Sequence, residues 1–162
     1  MKALDFNFFV NLPPGIVFVP FLPEHASRLT VEQPEVLAFG PADVGELLRY
    51  QAANGLAVTI LNRGKPIAVF GTVNIWAGVE EGWFLLEEEF REYRYLMTRA
   101  GKLFVRLKFQ DDSLHRLQIT VRCDDNRAFK WAKAIGFQQE GVMRKYGPDG
   151  SDFYIMAIVK ES

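Results

Sequence analysis

The chain has 162 residues, 49% of them hydrophobic, with fourteen Phe and a formal charge of −1. That length can bury roughly two-thirds of the unfolded surface as one domain over 1–162. No apolar run is long enough to cross a bilayer. The start MKALDFNFFVNLPPG lacks a signal-peptide cleavage pattern, and Cys123 stands alone, so a membrane span and an intrachain disulfide are excluded and a cytosolic protein is expected.

The near-neutral total hides an asymmetry. Residues 1–90 carry five Lys/Arg against eleven Asp/Glu, whereas residues 91–133 carry eleven against five. Such a basic segment is either a solvated helix face or an attractor for an anionic ligand or partner.

In chain order, Phe6–Val10 is apolar and Leu12-Pro13-Pro14-Gly15 interrupts it. Ile16–Phe21 alternates as a first strand between prolines, and Glu24–Leu29 makes one or two helical turns after Pro23. Thr30–Gly40 keeps no period and reads as loop. Pro41–Asn54 reads as a helix with Val44, Leu47 and Leu48 on one face, which Gln51-Ala52 could extend, and Asn54-Gly55 as its stop. Leu56–Leu61, Pro66–Trp76 and Gly82–Leu86 then form an antiparallel meander, joined by Asn62-Arg63-Gly64-Lys65 and by a turn over Gly78–Glu81.

After Glu87-Glu88-Glu89 the period lengthens. Leu96, Ala100, Leu103, Phe104 and Leu107 mark a helix, with Arg99, Lys102, Arg106 and Lys108 mostly on its other faces. Leu117–Val121 is a strand. Asp124-Asp125-Asn126 offers capping chemistry for a helix carrying Ala128, Phe129, Ala132 and Ile135, and Gly136 ends it. Val142–Tyr146 and Phe153–Val159 read as strands around the turn Gly147-Pro148-Asp149-Gly150.

The order β, α, α, β, β, β, α, β, α, β, β, together with Asn126, Ala128, Gly136-Phe137, Glu140-Gly141, Arg144, Gly150 and Asp152, resembles the GNAT superfamily of N-acetyltransferases. The wording is closest to branches that acetylate protein N-termini or small polyamines. A looser likeness is to GNAT-like proteins that tailed bacteriophages encode near internal virion or assembly proteins. The resemblance implies an α+β (α/β/α-type) fold with a mixed, mostly antiparallel sheet flanked by helices. It also implies acetyl-CoA in a V-shaped opening between the fourth and fifth strands, against the backbone at Leu85 and Leu86. The pyrophosphate would lie on amides at the following helix N-terminus.

The family's wording at that terminus is Arg/Gln-x-x-Gly-x-Gly/Ala. This chain has Glu89-Phe-Arg-Glu-Tyr-Arg-Tyr-Leu-Met-Thr98, without glycine. Arg91, Arg94 and Arg99 are the side chains that could replace the amides by charge-assisted bonds. The family's helix tyrosine, a general acid, corresponds to Ala132. Glu80, Glu81, Glu87 and Glu88 are candidate bases for an acceptor amine, and Tyr146 and Tyr154 are candidate acids. Asn126 is either a cofactor contact or a plain helix cap. His25 and His115 lack partners at metal-ligand spacing, so no metal is expected, and Cys123 reads as a structural thiol.

Two functions remain open: acetyl transfer from acetyl-CoA to an amine, or a binding and assembly role. In the second, the basic segment with Tyr93, Tyr95 and Trp131 would meet a protein partner. No nucleic-acid motif is present.

Overall fold

The computed structural model describes residues 11–30 and 44–161. Phe6–Val10, most of the 30–40 loop, the Pro41–Asp43 start of the second helix and the side chains of Val44 and Leu47 lie outside the described residues.

The elements follow the expected order: β1 (Ile16–Pro20), α1 (Pro23–Ala26), α2 (Val44–Ala53), β2 (Gly55–Asn62), β3 (Lys65–Trp76) and β4 (Val79–Leu86). A 3-10 helix (Glu88–Tyr93) leads into α3 (Arg94–Lys108), then β5 (Arg116–Arg122), α4 (Asn126–Ile135), β6 (Gln138–Met143) and β7 (Phe153–Val159). Seven strands form one sheet in the order β1-β2-β3-β4-β5-β7-β6. Among the described residues every pairing is antiparallel except β4 with β5.

Two differences from the expected boundaries bear on the site. β4 begins at Val79, because the turn is confined to Ala77-Gly78, where Gly78 takes a positive φ of 78°. Glu80 and Glu81 are therefore strand residues with side chains on opposite faces. The sixth strand is Gln138–Met143 rather than Val142–Tyr146. Its pairing with β7 runs from Gln138↔Ala157 to Met143↔Phe153, which leaves Tyr146 in the connecting loop.

The larger core lies between the sheet and α3/α4, where Phe18, Ile60, Phe90, Leu117 and Met156 are almost wholly buried. Each such side chain contributes roughly 1.5–3 kcal/mol by leaving water. On the opposite face α1 and α2 cover a smaller cluster, with Ala26, Leu48, Val69 and Leu85 packed beside Trp83. Gly101 sits mid-helix in α3 for a packing reason. A Cβ there would lie 3.1 Å from both Ile135 and Trp131, so the glycine lets α4 approach.

Candidate active site

β4 and β5 run side by side for three residue pairs, Val79↔Arg116, Glu80↔Leu117 and Glu81↔Gln118, and then diverge. β4 continues to Leu86 and β5 to Arg122. Gly82 stands at the fork, where a Cβ would meet Ile119 at 3.1 Å. Beyond it, one backbone edge of Gly82–Leu86 has no strand beside it among the described residues, and such groups need partners when buried. The groove that results encloses about 1840 Å³ and reaches both faces of the sheet. Leu85 turns its side chain into the α1/α2 cluster and Leu86 packs against the α3/α4 core, so what they offer the groove is backbone.

On the α3/α4 face, Phe84 and Trp131 stack with centroids 5.7 Å apart at 28°. The Trp131 indole N–H is buried there without a partner among the described residues. Of the three aromatics expected on the surface, only Tyr95 is there, at 74% exposure. Trp131 is half-buried in the groove, and Tyr93 stacks on Phe90 at 6.0 Å. Their bulk is taken up by core contacts that the charge pattern could not show. Ala132, at the family's tyrosine position, is fully buried.

At the mouth, the 3-10 helix merges with α3. Each 3-10 turn uses amides on carbonyls three residues back, so the free amide end of the combined helix moves towards Glu88 and Glu89. Acidic side chains in that first turn disfavour an anion on those amides. Cations surround the gap instead: Arg91, Arg94, Arg127 and Lys130 all line it and are exposed. Arg91 pairs with Glu88 at 2.9 Å, and Arg94 lies over the Tyr95 ring at 5.0 Å. The α4 cap is Asp125, whose carboxylate accepts the Ala128 N–H at 2.9 Å. Capping thus falls to Asp125, and Asn126, one residue on, is exposed at the groove wall.

The four candidate acids separate. Glu80 binds Lys108 at 2.6 Å, with the two side chains 13% and 14% exposed, away from the groove. Glu87 is nearly buried and accepts the Thr30 N–H. Glu88 holds Arg91. Glu81 lies at the fork and accepts a hydrogen bond from the neutral amide of Gln118 at 3.0 Å. Gln118 in turn accepts from Arg116, whose guanidinium grips Glu140 with two bonds of 3.0 and 2.6 Å. That grip holds the Glu140 carboxyl below its ordinary range, against a smaller opposing effect of burial.

Tyr146 lines the same groove, 54% exposed, with its ring edge-on to Phe153 at 5.4 Å. Burial and then the Glu81 charge push its phenol above the usual range, so the pair is electrostatically linked and the phenol keeps its proton. Tyr154 packs against Phe129 at 5.0 Å.

Arg122, on β5, forms ion pairs with Asp124 and Asp149, each at 3.0 Å; Arg122 holds the Asp124 carboxyl low, and the Ser151 hydroxyl first and then Arg122 hold that of Asp149 low. Burial and then Asp152 raise the Cys123 thiol, which keeps it protonated and inert. His25 is buried, with Nδ1 accepting the Leu22 N–H and lying 2.8 Å from the Thr59 hydroxyl. Among the described residues no cluster of His, Cys, Asp or Glu could hold a metal, and no helix is long and apolar enough to cross a membrane.

No protein-family model and no curated protein matches the chain. Solved structures do. Ard1 from Thermoplasma volcanium superposes with a TM-score of 0.73 at 15% identity, covering 91% of this chain and 99% of that one. A GNAT-family acetyltransferase from Bacillus anthracis gives 0.70 at 15% identity over 93% and 98%. The microcin C7 self-immunity acetyltransferase MccE, solved with acetyl-CoA and AMP, gives 0.69 at 17% over 91% and 94%. The chain therefore has the GNAT acetyltransferase fold. These likenesses say nothing about the looser one to phage-encoded proteins.

Proposed function

We propose that the protein is an N-acetyltransferase that takes acetyl-CoA into the β4–β5 fork and passes the acetyl group to an amine arriving from the α1/α2 face. The observation that carries this is the end of strand pairing at Glu81–Gln118, which leaves the Gly82–Leu86 backbone edge open inside a groove. The exposed Asn126 side chain adds a donor along the same wall. Arg91, Arg94, Arg127 and Lys130 would meet the phosphates as point charges where an amide cradle is lacking.

Acetyl-CoA supplies an acyl group already activated as a thioester. A β4 backbone N–H donates to the carbonyl oxygen as negative charge gathers there. Glu81 accepts the proton that the amine sheds as the C–N bond forms. Tyr146, held protonated, donates to the sulfur as the C–S bond breaks, and solvent returns the proton from Glu81 to Tyr146.

A second role, as a non-catalytic binding or assembly protein (in a virion, if phage-encoded), is favoured by the acidic 3-10 turn and by the Phe84–Trp131 stack inside the fork. Thermal unfolding with acetyl-CoA separates the two. A ligand at a hundred times its dissociation constant adds about 2.7 kcal/mol. No stabilisation at millimolar acetyl-CoA would overturn the enzyme and leave the binding role.

A further inference from the structure

The β4–β5 ladder ends at Glu81↔Gln118, and a chain of side-chain hydrogen bonds leads away from that pair across the sheet. Leu117 points into the α3/α4 core, so Arg116 and Gln118 on either side of it point to the opposite face, the one Glu81 shares. β7 lies between β5 and β6, and Arg116 reaches over it to Glu140. The register of β6 on β7 shifts at Glu140, which makes this residue the extra one of a bulge, a device that re-aims a side chain.

Each link leaves the next with one choice. The Glu140 carboxylate takes two Arg116 N–H groups at 3.0 and 2.6 Å, which fixes the plane of the guanidinium and the direction of its Nε–H. A guanidinium only donates, so the Gln118 amide must turn its oxygen to that Nε–H, at 3.0 Å. The Gln118 NH2 group then faces Glu81 and donates to Oε2 at 3.0 Å. Charge is distributed along the same line. Glu140 meets the Arg116 guanidinium directly and is held below its ordinary range by it. Glu81 meets a neutral amide, and the cation behind that amide is already matched by Glu140. A carboxylate in direct contact with a guanidinium resists protonation, whereas one held by a neutral donor is fixed in place and can still take a proton.

We infer that Gln118 is a positioning residue for Glu81, locked by Arg116 and Glu140, and that the chain both aims the Glu81 carboxylate and keeps the guanidinium charge off it. This rests on the acetyl-transfer reading, in which Glu81 accepts the proton of the amine. Tyr146, on the loop after β6, is the other titratable group that senses the Glu81 charge, and it lies outside the chain.

The test follows the Glu81 side chain by carboxyl NMR, assigned through Glu81→Gln, in the wild type and in two variants that cut opposite ends of the chain. Gln118→Met keeps the length but removes the donor, and should raise the midpoint of the Glu81 titration by roughly one pH unit. Glu140→Gln, on the exposed edge strand, leaves the Arg116 charge unmatched and should lower that midpoint. Loss of packing alone has no reason to move one midpoint in opposite directions from the two ends. With acetyl-CoA and either spermidine or trialanine amide as acceptor, Gln118→Met should lower kcat by roughly tenfold to a hundredfold and leave KM for acetyl-CoA unchanged. An unmoved midpoint in folded Glu140→Gln, shifts of one sign in both variants, or an unchanged kcat in Gln118→Met overturns the inference and leaves acetyl transfer standing. Opposite shifts in a protein that acetyl-CoA does not stabilise and that acetylates neither amine keep the chain's hold on Glu81 and overturn acetyl transfer.

Discussion

Replacing Asp125 and Asn126 one at a time tests how the groove end of α4 is built. Asp125→Ala removes the acceptor of the Ala128 N–H at 2.9 Å. Loss of an N-cap costs about 1 kcal/mol, within a span of roughly 0.5–2, and the lost carboxylate–dipole attraction adds a few tenths. In a chain of 162 residues that lowers the melting temperature by roughly 2–4 °C. Asn126→Ala removes no capping bond, since the cap is Asp125, and should stay within about 0.5 kcal/mol of wild type. The assay is calorimetric or dichroic melting of both variants with and without acetyl-CoA. Asp125→Ala should melt lower and Asn126→Ala should not, while Asn126→Ala should lose part of the cofactor-induced shift. If Asn126→Ala alone, without ligand, falls as far as Asp125→Ala, the division between cap and ligand contact is wrong.

The adjacent acids of β4 should respond in opposite ways. Glu80→Ala strands the Lys108 ammonium at a site where both side chains are mostly buried, and should cost about 2 kcal/mol in urea unfolding with turnover per folded molecule retained. Glu81→Gln should keep stability and lower kcat by roughly 10²–10⁴, the usual worth of a general base, read by release of free thiol. A third expectation concerns His25, whose pKa burial lowers, with Glu24 opposing and Arg28 assisting. A depressed folded pKa means that the unfolded chain binds more protons between the folded value and about 6.5. Stability is thus complete above about pH 6.5 and declines as pH falls through that window, by at most about 1.4 kcal/mol per pH unit. Urea midpoints between pH 5 and 8 should show this decline in wild type and lose it in His25→Asn.

The element order was legible because each boundary carried local chemistry: Gly136 takes the left-handed φ of 117° that ends α4, and the Asn62–Lys65 turn closes β2 on β3. β6 was misplaced because it is the edge strand. Gln138, Gln139, Glu140 and Val142 are exposed, so no alternation marks them, and only pairing with Phe153–Ala157 sets the register. The missing glycines near Arg94 could be read directly, but the 3-10 turn that moves the free amides could not. Trp131 fell at the margin of an apolar stripe. Its one signal was Gly101 on another helix, legible only once the two are known to touch. Gln51 continued the apolar face of its helix and Trp83 fell within a strand-like run, but that each buries an unpaired polar atom could not be read, since that exists only in three dimensions.

β4 shows why neighbours in sequence here are not neighbours in chemistry. Its alternation sends Glu80 and Phe84 to the α3/α4 face, where they meet Lys108 and Trp131. Glu81 and Trp83 go to the other face, with Gln118 and the α2 cluster. The backbone edge between the two sets points at neither and opens into the fork. One eight-residue strand thereby carries a structural ion pair and, on the proposed reading, a wall for the cofactor and a base. Trp83, Gln51 and Trp131 each bury one polar atom without a protein partner among the described residues, a demand that water or a small rearrangement normally meets.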